Sequence, residues 1–533
     1  MPAPEDFAAR EALAAIRAHH AGGGGVYLGR TARGWAWSGE EHATLVLGPP
    51  RSGKTTGVVV PSIVAAEGAV VSTSTKPDIA YATIGLRRRI GPCLLYDPTG
   101  SVGQLPGAEP ARWSPVASCR TWDGALITAS ALVETAHQIA GGARRAAGGD
   151  HWSERAGALL APLLHAAAVD GAAMAEVLGW IDRHEAGRAL EILERSDAAV
   201  AGDLLAGIAS TDPREQSGIW STASGALAAY RSQRALASTV DPNCDATAFV
   251  DGAATLYICA TGRHQATVAP LVAGLLGDVR AAVYARAASS VATGLSRSTR
   301  PPATLFALDE VANIAPLPDL PAMVSEGGGQ GLVVLACLQD LSQARARWGT
   351  AAEGFLSLFG TTLVLPGIGD IHTLRTLSEL AGEHDVVDRS ISSPVATDRT
   401  PARAIARRLL LGPTASDHLS HRPPTTTLHN VARRRLSIDE AAHGKPGSAL
   451  VIDRHKHLHW IELTPWFATE PWRCAIDWAQ TPRAPAVERL QAVPAPAARP
   501  APAPIRTAGT AGLGVTSVDT PHGIEPDIGG PAR

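Results

Sequence analysis

The chain has 533 residues, 45% of them hydrophobic, and a formal net charge of -3. That length and apolar content accommodate two or three packed domains and exclude a mainly disordered chain. The near-neutral charge gives no overall attraction to nucleic acid, so any such contact must come from a local basic patch. The six cysteines, Cys93, Cys119, Cys244, Cys259, Cys337 and Cys474, form no C-x-x-C pair and have no His at zinc spacing. Reduced thiols and a cytoplasmic setting are expected.

In chain order, a leading helix is expected over Phe7 to His19, then the linker Gly22 to Gly25 and a short strand at Val26 to Leu28. The first residues carry neither a signal peptide nor a lipidation motif, and no uninterrupted run of about 18 apolar residues occurs, so no membrane span is expected. Short apolar runs bounded by turn residues follow at Ala43 to Leu47, Ala69 to Ser72, Cys93 to Tyr96, Leu256 to Ala260, Leu305 to Leu308, Leu332 to Cys337 and Thr362 to Leu365. Runs of this kind between helical stretches predict an α/β fold with a parallel-rich central sheet covered on both faces.

Trp122 to about Ala248 has helical periodicity and almost no strand signal, which predicts an all-α domain inserted into the α/β domain. The stretches Ala287 to Pro302 and Asp385 to Pro424 read as irregular. From Thr481 onward Pro and Ala dominate, as in a disordered tail. The expected organisation is therefore a leading segment (1–24), a nucleotide-binding domain in two parts (25–121 and 249–480) around the helical insertion (122–248), and the tail (481–533).

Gly48-Pro49-Pro50-Arg51-Ser52-Gly53-Lys54-Thr55 fits G-x-x-x-x-G-K-[ST], with Thr56 following. In such a loop successive backbone N–H groups turn toward phosphate, the Lys reaches the β- and γ-phosphates, and the hydroxyl ligates magnesium. The context agrees: Thr44 to Leu47 supplies a strand and Thr56 to Val64 a helix, which Pro61 is expected to end early or kink. Lys occurs only four times, at 54, 76, 445 and 456, so chance matches to the pattern number on the order of 0.01. A compact ammonium stands here in a chain whose cations are almost all Arg.

Thr304 to Leu308 is an apolar strand running into Asp309 and Glu310, the Walker B pattern. Asp309 is the candidate magnesium holder with Thr55, usually through water, and Glu310 the candidate for orienting or deprotonating the attacking water. The bland alternative is a strand ending at a solvated acidic turn. Leu332 to Leu338 ends at Gln339, a candidate sensor of the γ-phosphate or lytic water, against the plainer role of capping a strand. ATP and Mg2+ are the expected cofactors, and Lys54, Glu310 and Gln339 the expected catalytic set.

These three elements, with their neighbours, resemble the TraG-like type IV coupling proteins, ATPases of conjugative secretion. Val26 to Arg30, Val70 to Asp78, Tyr96 to Gly100 and Trp113-Ser114-Pro115 are similar to family segments. Asp309 to Pro318, Gln339 to Gln343 and Trp348-Gly349 match its most specific block, the TraM recognition region, and Arg435 to Glu440 and Gly447 to Val451 its closing motif. The resemblance, over roughly residues 25 to 465, implies a RecA-like motor domain, an inserted all-α domain and a homo-hexamer. Its implied partners are DNA, single-stranded with an attached relaxase, the relaxosome or other secretion substrates, and a membrane-embedded channel or anchor.

Two departures stand out. Members typically begin with transmembrane helices, which are not seen here, so a soluble relative is expected that reaches the inner face of the cell membrane through a partner. Many relatives also carry an arginine just before the strand leading to the sensor Gln, reaching a neighbouring subunit's nucleotide. Here that segment is Ser325-Glu326-Gly327-Gly328-Gly329-Gln330-Gly331. Arg345, Arg347 and Arg375 are substitutes by sequence position, each with the alternative of a solvated helix residue. Lys76, at the end of a predicted strand, faces either nucleotide or DNA, or solvent.

The function expected is an ATP-driven coupling protein or DNA translocase of a conjugative type IV secretion system. Two alternatives share the site: an FtsK- or HerA-like DNA-pumping motor, and a nucleotide-gated adaptor that recruits substrates with little turnover.

Overall fold

The computed structural model describes residues 4–480, apart from 22–24, 142–148, 263, 295–299 and most of 393–424. The expected tail from Thr481 lies outside the described residues. The strands, in chain order, are β1 (Tyr27–Thr31), β2 (Gly34–Trp37), β3 (Thr44–Leu47), β4 (Val70–Ser74), β5 (Cys93–Tyr96), β6 (Glu109–Pro110), β7 (Thr255–Cys259), β8 (Thr304–Leu308), β9 (Leu332–Leu338), β10 (Thr361–Val364), β11 (Glu383–Ser392), β12 (Thr425–Arg434), β13 (Ser448–Ile452) and β14 (Leu458–Glu462). All seven apolar runs read from the sequence are strands, with ends shifted by a residue or two.

All but β11 and β12 form one sheet, ordered β2-β1-β14-β13-β10-β3-β9-β8-β4-β7-β5-β6. From β10 to β6 every neighbouring pair is parallel. From β10 through β13, β14 and β1 to β2 every pair is antiparallel. This antiparallel wing was not foreseen.

Alternation along each strand divides its side chains between two cores. Leu45, Leu47, Phe306 and Leu308 enter one, which also holds the buried residues of the helical segment, among them Leu132, Leu159, Leu160 and Trp220. Val46, Leu305 and Ala307 enter the other, under the helices Pro4–Ala21 and Trp472–Gln480. Among the described residues, Trp122 to Asp251 is helical and contains no strand. Its helices and one face of the sheet share a continuous apolar core.

The helix Gln265–Ala292 belongs to the same face. Among the described residues it is the one helix long and apolar enough to cross a membrane, but 61% of its most apolar window is buried. Gly274 on this helix makes room for Trp113, since an added Cβ would lie 2.5 Å from the indole Cη2. Asp278, one turn on, accepts the Trp113 Nε1–H at 2.7 Å.

Two irregular stretches read from the sequence need correction in their described parts; 295–299 and most of 393–424 lie outside the described residues. The helix runs to Ala292, well past Ala287, and its serines are accommodated by bonding back to helix carbonyls: Ser289 Oγ to Ala285 O at 3.0 Å and Ser290 Oγ to Arg286 O at 2.9 Å. Asp385 to Ser392 belongs to β11, which pairs with β12 as a separate two-stranded ribbon.

Pro61 does not end the helix after the phosphate loop, which runs on to Ala65. A π turn spans Thr55–Val59, with the Val60 N–H bonding to Thr55 O, and the α-helix Val60–Ala65 then starts afresh with Pro61 in its first turn. A missing N–H is harmless at that position.

Arg87 is wholly buried at the opposite edge of the sheet. Its guanidinium donates to Thr255 Oγ1 (2.7 Å), Gly68 O (2.7 Å), Ala253 O (3.2 Å) and Ala66 O. One side chain thus satisfies acceptors from two segments, Ala66 to Gly68 before β4 and Ala253 to Thr255 at the start of β7.

Candidate functional site

The site lies where the parallel strands end, as in open α/β sheets generally. Leu47 of β3 is level with Leu338 of β9, and Ala336 of β9 with Leu308 of β8, so the loops after all three strands emerge side by side. Those loops are Gly48 to Thr55, Asp309-Glu310 and Gln339.

The phosphate loop is held by backbone geometry. Gly48 donates its N–H to Leu338 O at 3.1 Å, and Ser52 to Pro49 O at 3.3 Å. Arg51 takes φ 65 and Gly53 φ 98. A side chain at Gly48 would meet Ser52 Oγ at 2.7 Å and Leu365 Cβ at 2.9 Å, so the closeness of the loop to the β10 edge requires glycine there. Pro50 and Arg51 are exposed, Pro49, Thr55 and Thr56 half-buried.

Lys54 is buried, and its Nζ donates to Gly48 O (2.5 Å) and Pro49 O (3.0 Å). The ammonium is therefore curled under the loop's own carbonyls. Ser52 Oγ is buried without a hydrogen-bond partner. A buried hydroxyl left open within a ring of phosphate-binding backbone groups fits a loop built for an anion.

Across the sheet, Thr55 Oγ1 donates to Asp309 Oδ2 at 2.8 Å. In an octahedral Mg2+ site with bonds of about 2.0–2.1 Å, adjacent ligand oxygens are about 2.9 Å apart. The Thr55–Asp309 pair thus matches one edge of such a site. Thr73 Oγ1, from β4, donates to the backbone O of Asp309 at 2.9 Å and fixes the end of β8. Burial pushes the Asp309 carboxyl up to about 6; neighbouring Glu310 pushes it the same way, while the Thr55 hydroxyl and Lys54 pull it down.

Glu310 follows in a left-handed conformation (φ 57, ψ 43) at the start of the short helix Val311–Ile314. The kink separates its side chain from that of Asp309, and Asn313 Nδ2 donates to Glu310 Oε2 at 3.0 Å. Gln339 is half-buried, and its backbone N–H is held by Gln343 Oε1 at 2.9 Å. The structure thus brings together the loop, Asp309, Glu310 and the strand end that carries Gln339.

Of the three substitute arginines, two are engaged within the chain. Arg345 pairs with Asp370 at 2.9 Å, and Arg347 Nε donates to Ala312 O at 2.7 Å, behind Glu310. Arg375 is exposed on the helix Ile371–Ala381. Lys76 is exposed just past β4, at the same edge of the sheet as the phosphate loop. The glycine segment Gly327–Gln330 forms a 3-10 turn leading into the start of β9, at the edge remote from the phosphate loop.

Thr73, Asn313 and Gln343 lie in segments that resemble the family's but were given no role from the sequence. Asn313 and Gln343 had a signal in their spacing, three and four residues beyond Glu310 and Gln339. Thr73 had none, because its contact depends on β4 lying beside β8.

A parallel sheet with a phosphate loop after β3, an acidic pair after the neighbouring-but-one strand β8 and a polar strand end between them defines a P-loop nucleotide-binding protein of the RecA-like kind. Residues 10–420 match the family described as Type IV secretory system Conjugative DNA transfer, and the chain belongs to that family. No curated protein matches it in sequence. Solved structures do match. The unbound bacterial conjugative coupling protein TrwBdeltaN70 is 16% identical with a TM-score of 0.58, over 80% of this chain and 85% of that chain. The plasmid coupling protein TrwB in complex with ADP and Mg2+ is 16% identical with a TM-score of 0.56, over 80% and 86%. TrwB with the ATP analogue ADPNP is 17% identical, with the same score and coverage. At these identities the likeness establishes the shared fold.

Proposed function

We propose that the chain is the ATP-hydrolysing coupling protein of a conjugative type IV secretion system, joining a DNA-relaxase substrate to the transfer channel. The observation that carries this reading is the 2.8 Å contact of Thr55 with Asp309, which assembles a Walker site inside a chain of the conjugative DNA transfer family.

The fit of the phosphate loop and of the Thr55–Asp309 edge supports ATP and Mg2+ as cofactors, in keeping with the ADP, Mg2+ and ATP analogues bound by TrwB. Bound Mg2+ supplies charge neutralisation at the phosphates. The loop from Gly48 to Thr56 cradles phosphate through its backbone N–H groups. Lys54 exchanges the carbonyls of Gly48 and Pro49 for phosphate oxygens, a stronger charge-assisted contact. Thr55 and Asp309 hold the metal, Asp309 losing any proton as it does so. Glu310, fixed by Asn313, orients the attacking water and takes up its proton. Gln339, one residue beyond the carbonyl that holds Gly48, senses the phosphate end of the nucleotide. The protein acts as a homo-hexamer on the cytoplasmic side of the membrane, with a membrane-embedded partner and single-stranded DNA carrying a relaxase as its substrate.

Purified protein tests the reading through DNA-stimulated ATP hydrolysis. Lys54→Ala and Glu310→Gln are expected to abolish turnover, Glu310→Gln while still binding nucleotide. Nucleotide binding with no turnover in the wild-type chain, with or without DNA, would replace the motor with the nucleotide-gated adaptor.

A further inference from the structure

The hairpin joining β13 to β14 carries a second cluster of ligating side chains, away from the nucleotide site. Ile452, the last residue of β13, pairs with Thr362 near the start of β10, whereas Val364 at the far end of β10 lies beside Leu47 and the phosphate loop. The turn therefore sits on the opposite edge of the sheet.

This turn is closed and anchored. Asp453 N–H donates to His457 O at 3.2 Å, and Lys456 N–H to Asp453 O at 2.9 Å. Lys456 has φ 65, and its ammonium bonds to Leu356 O at 2.5 Å, tying the turn to the helix Phe355–Leu358.

Within this frame the Asp453 carboxylate is oriented by the backbone. Its Oδ1 accepts the N–H groups of His455 (2.8 Å) and His457 (2.9 Å). Its Oδ2 is turned toward two imidazoles, 3.2 Å from His457 Nδ1 and 3.7 Å from His459 Nε2. The ligand atoms of Asp453, His457 and His459 all lie within 4.8 Å of one another. Neighbouring ligand atoms around a tetrahedral ion with bonds of about 2.0–2.1 Å are about 3.3 Å apart, so small side-chain rotations close the site. His457, just before β14, and His459, within it, are two residues apart and both turn toward Asp453 Oδ2. His455 is engaged elsewhere, accepting Arg454 Nε–H at its Nε2 (2.9 Å).

We propose that Asp453, His457 and His459 bind one divalent transition-metal ion of the zinc class. Two imidazoles and a carboxylate favour Zn2+, Co2+ or Ni2+ over Mg2+ and Ca2+, which take all-oxygen sites. The Oδ1 contacts play the outer role that commonly fixes a ligating carboxylate. Three protein ligands leave the remaining position to water. The side chains are 33% to 67% exposed, so the ion exchanges freely with solvent. Bound there, it clamps both strands at the tip of the hairpin.

The test uses the full chain without an affinity tag and without nucleotide, titrated with Co2+ followed by visible absorption and with Zn2+ by calorimetry. One equivalent of Co2+, with the intense bands of four-coordination and displacement by Zn2+, is expected. His459→Ala and Asp453→Asn should each weaken binding by about tenfold or more. Asp453→Asn keeps an oxygen to accept the two turn N–H groups, so the variant should still fold in chelator, with a melting temperature only slightly below that of the wild type. His455→Ala should bind as the wild type does. A wild-type chain that takes up no equivalent, or His459→Ala and Asp453→Asn variants that bind like it, overturns the proposal.

Discussion

Asn313 anchors Glu310 through a 3.0 Å hydrogen bond from its side-chain amide to Oε2, on a residue held in the left-handed region at φ 57. Holding a non-glycine residue there costs roughly 1–3 kcal/mol, which the surrounding structure must offset. The amide therefore fixes a side chain whose backbone has few alternatives. Asn313→Ala should lower kcat for ATP hydrolysis about tenfold, the worth of one hydrogen bond to a charged group, while nucleotide affinity changes less than about twofold. Equal loss of affinity and turnover would mean that Asn313 shapes the nucleotide pocket itself.

Asp309 should destabilise the nucleotide-free chain at neutral pH. Burial raises its carboxyl to about 6, above the unfolded value near 4. Between these values the native state holds a proton that the unfolded chain has released. Stability therefore falls as pH rises from about 4 to 6, by at most about 3 kcal/mol. Asp309→Asn removes the term, so urea unfolding at pH 7.5 should find the variant more stable than the wild type. The affinity of the wild-type chain for Mg2+-nucleotide should rise over the same window, as the metal competes with the proton.

Gly328 lies in the segment Ser325 to Gly331, within which many relatives are expected to carry an arginine, and at this position glycine has a steric reason. A Cβ there would lie 1.9 Å from the carbonyl O of Glu41, a backbone atom that cannot step aside. Gly328→Ala should destabilise the fold by roughly 1–3 kcal/mol in denaturant titrations. Gly329→Ala is the internal control, since an added Cβ would meet nothing within 4 Å.

Arg87 should tolerate no shorter cation. Arg87→Lys brings three donors on a compact head to acceptors spread over Ala66, Gly68, Ala253 and Thr255, and leaves buried carbonyls unpaired. A loss of about 2 kcal/mol or more is expected, with nucleotide affinity retained because the residue lies on the far edge of the sheet. Loss of nucleotide binding in a folded variant would contradict that separation.

The parallel strands were legible because strands buried on both faces read as unbroken apolar runs, as Thr44 to Leu47 and Leu332 to Leu338 do. β14 was not read as a strand, since exposed His459, Trp460 and Glu462 interrupt the apolar pattern, and β13 was missed although Ala449 to Ile452 is an unbroken buried apolar run. The phosphate loop and the acidic pair could be found because each is contiguous in sequence. Their meeting could not be read from local pattern alone: Thr55 and Asp309 are 254 residues apart, and Thr73 reaches Asp309 only through the strand order. Pro61 pointed to a break because helical pattern does not distinguish a π turn from an α turn.

The hydrogen bond from Gly48 N–H to Leu338 O extends the β3–β9 ladder one step beyond the strands, into the phosphate loop. The first residue of that loop and the residue before Gln339 are therefore rungs of one ladder. On the proposed reading of Gln339 as the phosphate sensor, its link to the loop is this one hydrogen bond and the Leu338–Gln339 peptide that accepts it.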